Sequence, residues 1–284
     1  MITDFRYRGA STGKKLFISV AIFVMSLYVL LILYPLINMV LSSFKDNRAI
    51  LTTPFSLPEE FSFSSYKTVW IDKGFSRYFA NSLLVTTTSM AFVLLFGSMA
   101  SYGISRYTYR LNTLVYMLFL SGIMLPLKAA IIPLFLLIKT LGLINKPLSV
   151  ILIFMAMGLP STVFILAGFM KGIPLELEYA AKIDGCNDFA IYRRVVMPMV
   201  APAIALVTIY NAVPIWNDFF FPLVFLQSDK VKTLPVGLST FFGQHSTNWS
   251  LLFTGLSIAI LPMLILYLFM SKYFIKGMTA GAVK

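Results

Sequence analysis

From Leu16 to Phe44 the chain carries no charged residue, and comparable apolar runs recur along its length. A stretch of about 20 mostly apolar residues is what a helix needs to cross the hydrocarbon core of a bilayer. Inside that core every backbone N–H and C=O must be paired within the protein, so only helices and closed barrels are viable. Barrel strands alternate apolar and polar residues, and these continuous runs do not. Composition agrees: 58% of the 284 residues are apolar and 12% charged, with a mean hydropathy of +0.85, against about a quarter charged in an average soluble domain. The expected fold is an all-α polytopic membrane protein in a lipid bilayer.

The formal charge of +12 does not point to nucleic acid, because the 23 basic residues are scattered between apolar segments and form no basic groove. A membrane surface accounts for them. Cys186, the single cysteine, excludes an intrachain disulfide and a cysteine-based metal motif. Arg6, Arg8, Lys14 and Lys15 precede the first apolar run as in a signal peptide. That run is too long for a signal core and no small-residue cleavage site follows, so it reads as an uncleaved span.

Six transmembrane helices are expected, at roughly 17–41, 82–104, 111–131, 148–170, 203–226 and 251–273. They divide the chain into an N-terminal stretch 1–16, a spanning domain 17–273 with an inner loop 171–202, and a tail 274–284. The stretch from Lys128 to Lys146 has an apolar centre, Ile131 to Ile138, that is too short to cross and contains Pro133, so it suits the interface. With both termini inside, inner segments hold 13 basic residues and outer ones ten, the sense of the positive-inside rule. The 45–81 segment, with Tyr66, Trp70 and Tyr78 among its charges, reads as an ordered outer loop. No internal repeat or low-complexity tract is visible.

The inner loop is the informative soluble segment. Pro174 suits a first helical position, Glu176 and Glu178 suit the positive end of the helix dipole, and Gly185 is the expected stop. Leu177, Ala180, Ala181 and Asp184 fall at helical spacing on one face. Asn187 or Asp188 can cap a second short helix carrying Phe189, Tyr192, Val195 and Val196 and ending before Pro198. Two such helices offer an apolar ridge to a groove in a partner; an amphipathic loop resting on the membrane is the alternative.

This segment resembles the EAA loop of binding-protein-dependent ATP-binding-cassette importers, in which Glu-Ala-Ala is followed after three residues by Gly and further on by Leu-Pro. Ala180, Ala181 and Gly185 match, Asp184-Gly185 reproduces an Asp-Gly common in the carbohydrate branch, and Met197-Pro198 stands for Leu-Pro. Tyr179 departs from the pattern, with Glu178 one residue earlier. Further stretches resemble maltose-type permease subunits in the same order: Tyr34-Pro35 with Ser42 to Lys45, Asn81 to Val85, Pro133 to Leu143, Trp216-Asn217-Asp218 with Pro222, and Gly277 to Gly281. The resemblance implies a type I importer permease fold in a bacterial cytoplasmic (inner) membrane, with cytoplasmic termini. It implies a second homologous permease forming a heterodimer, two ATPase subunits and an extracytoplasmic solute-binding protein. The coupling-loop residues it singles out are Glu178, Ala180, Ala181, Asp184, Gly185, Phe189 and Pro198.

The chain cannot supply its own ATPase: Gly9 to Lys15 has the wrong spacing for a phosphate-cradling loop, with Lys15 where Ser or Thr belongs. No cofactor is expected here, and ATP and Mg would be bound by the partner ATPase. His245, the only histidine, is expected in an outer loop, so no histidine-based zinc or triad chemistry can be assembled. Asp218 lies some 15 residues into the fifth span, about 22 Å from its inner end, where a carboxylate faces a cavity or a partner. Tyr210, Asn211, Trp216 and Asn217 could join it on a sugar path, or Asp218 could cap or pair with a neighbouring helix. A same-fold importer of a polyol, glycerol phosphate or osmoprotectant is a further reading. An ion-coupled secondary transporter is another.

Overall fold

The computed structural model describes residues 12–242 and 247–282. His245, Arg6 and Arg8, and the glycine-rich start at Gly9, lie outside them. In chain order the helices are α1 (Thr12–Ser42), α2 (Asn47–Thr52), α3 (Ser64–Lys67), α4 (Phe75–Arg106), α5 (Asn112–Met124), α6 (Ile131–Thr140) and α7 (Pro147–Lys171). They continue with α8 (Leu175–Ile183), α9 (Asp188–Ile191), α10 (Met197–Met199), α11 (Ala201–Asn217), α12 (Phe220–Phe225), α13 (Leu234–Ser239) and α14 (Trp249–Ala282). No strand is present among the described residues beyond an isolated bridge between Phe242 and Thr247. Two units can be distinguished: Met1–Val69 with Phe241–Ile258, and Trp70–Thr240 with Ala259–Lys284.

In the first unit α1 is apolar on every side, with Phe23, Met25, Leu30 and Leu31 all mostly exposed. A helix with no polar face belongs in lipid or against other apolar helices. Its C-terminal end is fastened by polar contacts: Thr254 donates to the Ser43 carbonyl at 3.1 Å, and the Ser43 and Tyr66 hydroxyls lie 2.7 Å apart. Lys45 is buried and donates to the carbonyls of Thr53 at 3.1 Å and Pro54 at 3.4 Å, which satisfy its charge without a carboxylate. Phe44 is ringed by Phe61, Phe63 and Tyr66. The start of the 45–81 segment is therefore ordered, as its aromatic content implied.

The second unit is built on α4, α7 and α11. In lipid, apolar side chains gain little by leaving the solvent, so helices associate by close packing of small residues and by polar contacts. Both devices are present. A Cβ at Gly97 of α4 would stand 2.4 Å from Thr162 Cγ2, and one at Gly158 of α7 would stand 2.8 Å from Val93 Cγ2. Asn211 of α11 is buried; it donates to Thr162 Oγ1 at 3.3 Å and accepts from the Ser161 hydroxyl at 3.2 Å. One apolar cluster joins Val85, Phe154, Ile215, Phe221 and Phe225; the other joins Leu166, Met170, Val196 and Val207.

Among the described residues four helices are long and apolar enough to cross a membrane: Leu16–Ser42, Phe75–Arg106, Pro147–Lys171 and Trp249–Tyr273. Asp188–Met199 and Ala201–Asn217, bent by 76° at their junction, would make a fifth. Two expected spans differ from their sequence outlines. The stretch 111–131 yields the 13 residues of α5, about 20 Å of helix. It stops because Pro126 drives Leu125 to an extended ψ of 120°. The stretch 203–226 is broken at Asp218, whose ψ of 122° ends α11 before α12 begins. α6 has ten residues, too few to cross, in keeping with its interfacial reading. α14 runs on through most of the 274–284 tail.

Candidate functional site

The loop after α7 folds much as its sequence indicates. Pro174 takes the cap of α8, one position ahead of the first helical residue, and Glu176 and Glu178 occupy the first turn. Gly185 ends the helix at φ +82°. Its N–H donates to the Lys182 carbonyl and that of Cys186 to the Ala181 carbonyl, both at 3.0 Å, the paired reverse bonds of a Schellman end. Asn187, and not Asp188, then caps α9 by accepting from the Ala190 N–H at 2.8 Å.

Contrary to expectation, the second helix does not end before Pro198. A π-helical turn, Tyr192–Val196, carries it into α10 with Pro198 near its start.

The loop has two faces. Outward lie Leu177, Ala180 and Asp184, with Ile183 at 87% and Phe189 at 63% exposure. Inward lie Ala181, Ile191 and Val196, packed with Tyr102, Leu166, Met170 and Val207. Ala181 thus parts from the face it was expected to share with Leu177, Ala180 and Asp184. It sits three residues after Glu178, and those two together form the buried side of α8.

Glu178 is therefore held inside its own chain. Its Oε1 lies 2.5 Å from Arg106 Nε at the end of α4, a charge contact, and its Oε2 accepts from the Tyr102 hydroxyl at 3.4 Å. Arg106 also donates to the Ile173 carbonyl at 3.2 Å. One residue on, the Tyr107 hydroxyl donates to Asp188 at 3.1 Å, and Lys182 Nζ lies 3.2 Å from the same carboxylate. The hydrogen bond from Lys182, then that from Tyr107, hold the Asp188 carboxyl below its ordinary range. Burial first, and the Asp188 hydrogen bond second, push the Tyr107 hydroxyl up. Sequence reading missed Tyr102, Arg106 and Tyr107; the only signal was an arginine at a helix C-terminus, which dipole arguments explain without a partner.

The membrane candidates divide. A cavity of about 600 Å³ is lined by, among others, Lys128, Phe154, Ser161, Tyr210, Asn211 and Asp218. Its walls are mainly apolar with a few polar groups, the usual make-up of a ligand pocket. Tyr210 is 57% exposed and is one of the residues that line the cavity. Asp218 accepts from the Phe221 N–H at 2.9 Å, capping α12, and lies 3.9 Å from Lys128 Nζ. Trp216 and Asn217 do not line the cavity: Trp216 is buried and donates to the Ala259 carbonyl at 3.0 Å, and Asn217 donates to the Val213 carbonyl. Among the described residues no cluster of three or more His, Cys, Asp or Glu side chains could hold a metal.

Residues 93–280 match the family described as the binding-protein-dependent transport system inner membrane component. The chain is 35% identical over 258 residues to the probable ABC transporter permease protein YurM of Bacillus subtilis (strain 168), covering 91% of this chain and 86% of that protein. It is also 35% identical over 228 residues to the melibiose/raffinose/stachyose import permease protein MelC of the same organism, covering 80% and 83%. Its fold matches a chain of a bacterial ABC transporter involved in the import of the acidic polysaccharide alginate, with a TM-score of 0.79, 25% identity, and coverage of 93% and 99%. This multi-pass membrane protein belongs to the family of binding-protein-dependent transport system inner membrane components.

Proposed function

We propose that the chain is one of two permease subunits of a bacterial ATP-driven importer that moves a sugar or oligosaccharide across the cytoplasmic membrane. The carrying observation is the loop after α7. Its stop at Gly185 and cap at Asn187 set two short helices whose outward face presents Ile183 and Phe189. Large apolar side chains exposed on a rigid helical loop suit a groove in a separate ATPase. In this reading the loop and both termini are cytoplasmic, six segments cross the bilayer, and α5 is the short third crossing. A second, homologous permease completes the path, two ATPase subunits bind ATP and Mg, and an outer binding protein delivers the sugar.

The cavity lined by Tyr210 and Asp218 supports the substrate class, since an aromatic face and a few polar groups in an apolar wall suit a sugar ring. Its charged lining groups, Lys128 and Asp218, face each other, which favours an uncharged saccharide. Relatives differ on this point, one being named for melibiose, raffinose and stachyose and another for acidic alginate.

The test is co-purification from native membranes in mild detergent, with ATPase activity measured against a panel of neutral and uronate-containing saccharides. A second permease and an ATPase should be recovered, with hydrolysis stimulated by a neutral sugar and its binding protein. Ile183→Asp should lose the ATPase while keeping the second permease. Recovery of the wild-type chain alone would overturn the importer reading, and stimulation only by uronates would overturn the substrate class.

A further inference from the structure

We infer that the C-terminal end of α4 is the lever that receives the motion of the loop, with Arg106 as its positioning residue. The inference rests on the docking role proposed for that loop.

Five contacts bind the two elements, and they are spread along the whole loop. Arg106 reaches the loop's first turn twice, through the Ile173 carbonyl and through Glu178. Tyr102, one turn earlier on α4, adds its hydroxyl to the same carboxylate. Tyr107 reaches past Gly185 to Asp188, the first residue of α9. Further up α4, Ser98 and Tyr192 bring their hydroxyls to 2.7 Å. Residues 98–107 therefore hold α8, α9 and the π-helical turn at once. By contrast, the covalent link back to α7 runs through the non-helical turn Gly172, Ile173 and Pro174.

The burial of the ion pair tells how stiff the grip is. The Arg106 and Glu178 side chains are 6% and 8% exposed, and separating them would strand two charges away from water. A contact that cannot open cheaply carries displacement. Along α4 the displaced end leads to the rest of the spanning unit at Gly97 against Thr162 and at Val93 against Gly158, where the helices approach so closely that no added Cβ fits. A push on Ile183 and Phe189 is thus delivered to α4, and from α4 to α7 beside the cavity.

Arg106→Gln and Glu178→Gln, singly and together, would be placed in the whole transporter in proteoliposomes, with uptake and ATP hydrolysis measured side by side. The ratio of sugar moved to ATP hydrolysed should fall by about 5–150-fold in each single variant, the range of an ordinary coupling free energy between sites. The double variant should fall little further than the worse single one, because the ion pair is the contact that both changes break. A structural role alone would lower the yield of complex and leave this ratio unchanged. An unchanged ratio, or two effects that multiply, overturns the inference.

Because a single variant could fail to assemble, a second measurement uses the native grip. Paired spin labels at Ser105→Cys and Glu176→Cys, in a Cys186→Ser background, report the distance between α4 and the loop in the assembled transporter. One distance distribution should persist with and without ATP. A nucleotide-dependent change would mean that the loop moves independently of α4, which overturns the inference. Failure of the wild-type chain to recover an ATPase would instead overturn the docking reading on which it rests.

Discussion

Gly185 offers a clean test of the loop, because its role is purely conformational. Its φ of +82° lies in the left-handed region, while a Cβ added there would meet nothing within 4 Å. A substitution therefore carries backbone strain and no clash, about 1–2 kcal/mol for an ordinary residue. That strain shifts the balance between the native turn and its alternatives by roughly 5–30-fold. Asparagine tolerates this conformation and ends helices in the same way, whereas a β-branched residue is the worst case. Gly185→Asn should stay near the wild type, Gly185→Ala should lose about 5–30-fold in sugar moved per ATP hydrolysed, and Gly185→Val should lose more. All three should insert in the membrane at normal yield, since a side-chain Cβ there would meet nothing within 4 Å. Hydrogen exchange at the Gly185 and Cys186 amides, which make the two closing bonds, should rise in the same order. Equal loss in all three variants, or an asparagine variant as impaired as the valine one, would refute the argument that the turn sets the loop.

Three further outcomes follow from the geometry. Gly158→Leu should drive a side chain into Val93 and Asn211 Oδ1, lowering the melting temperature of the solubilised complex by an overpacking penalty of about 1–3 kcal/mol; an unchanged melting curve would count against the tight α4–α7 contact. Asp218→Asn keeps a side-chain acceptor for the Phe221 N–H while removing the charge facing Lys128. If the cap is its main role, uptake should survive this change and fall in Asp218→Ala, with about 1 kcal/mol of cap lost. Equal loss in both would assign the effect to the carboxylate charge in the cavity. Asp188 titrates below its ordinary range because Lys182 and Tyr107 favour its charged form. Its contribution is complete above the unfolded carboxylate value and fades only as pH falls through the lowered one. Loop protection measured by hydrogen exchange should hence show no Asp188 step between about pH 8 and pH 5; a step there would point to another group.

How much of this was legible in the sequence follows from the range of the forces involved. The end of α8 at Gly185 and the cap at Asn187 are local, set within a few residues by backbone conformation and a short side chain, and both could be read from residue type and spacing. Long apolar runs gave α1, α4, α7 and α14 for the same reason. Composition counts Pro126 as one residue in an apolar run, yet it fixes where α5 stops, so the third span came out too long. Capping a helix was among the roles open to Asp218, but that such a cap would interrupt the fifth span was not legible, because an apolar run with one acid reads as a continuous helix. Glu178 is the sharpest case. Helical spacing placed it on α8 without saying which way α8 would turn, and the answer lies 72 residues earlier in Arg106, whose partner no local pattern discloses. The outward side of the loop can be read from α8 and α9 alone; the side that transmits force is specified by the end of α4, and only the tertiary contact brings the two together.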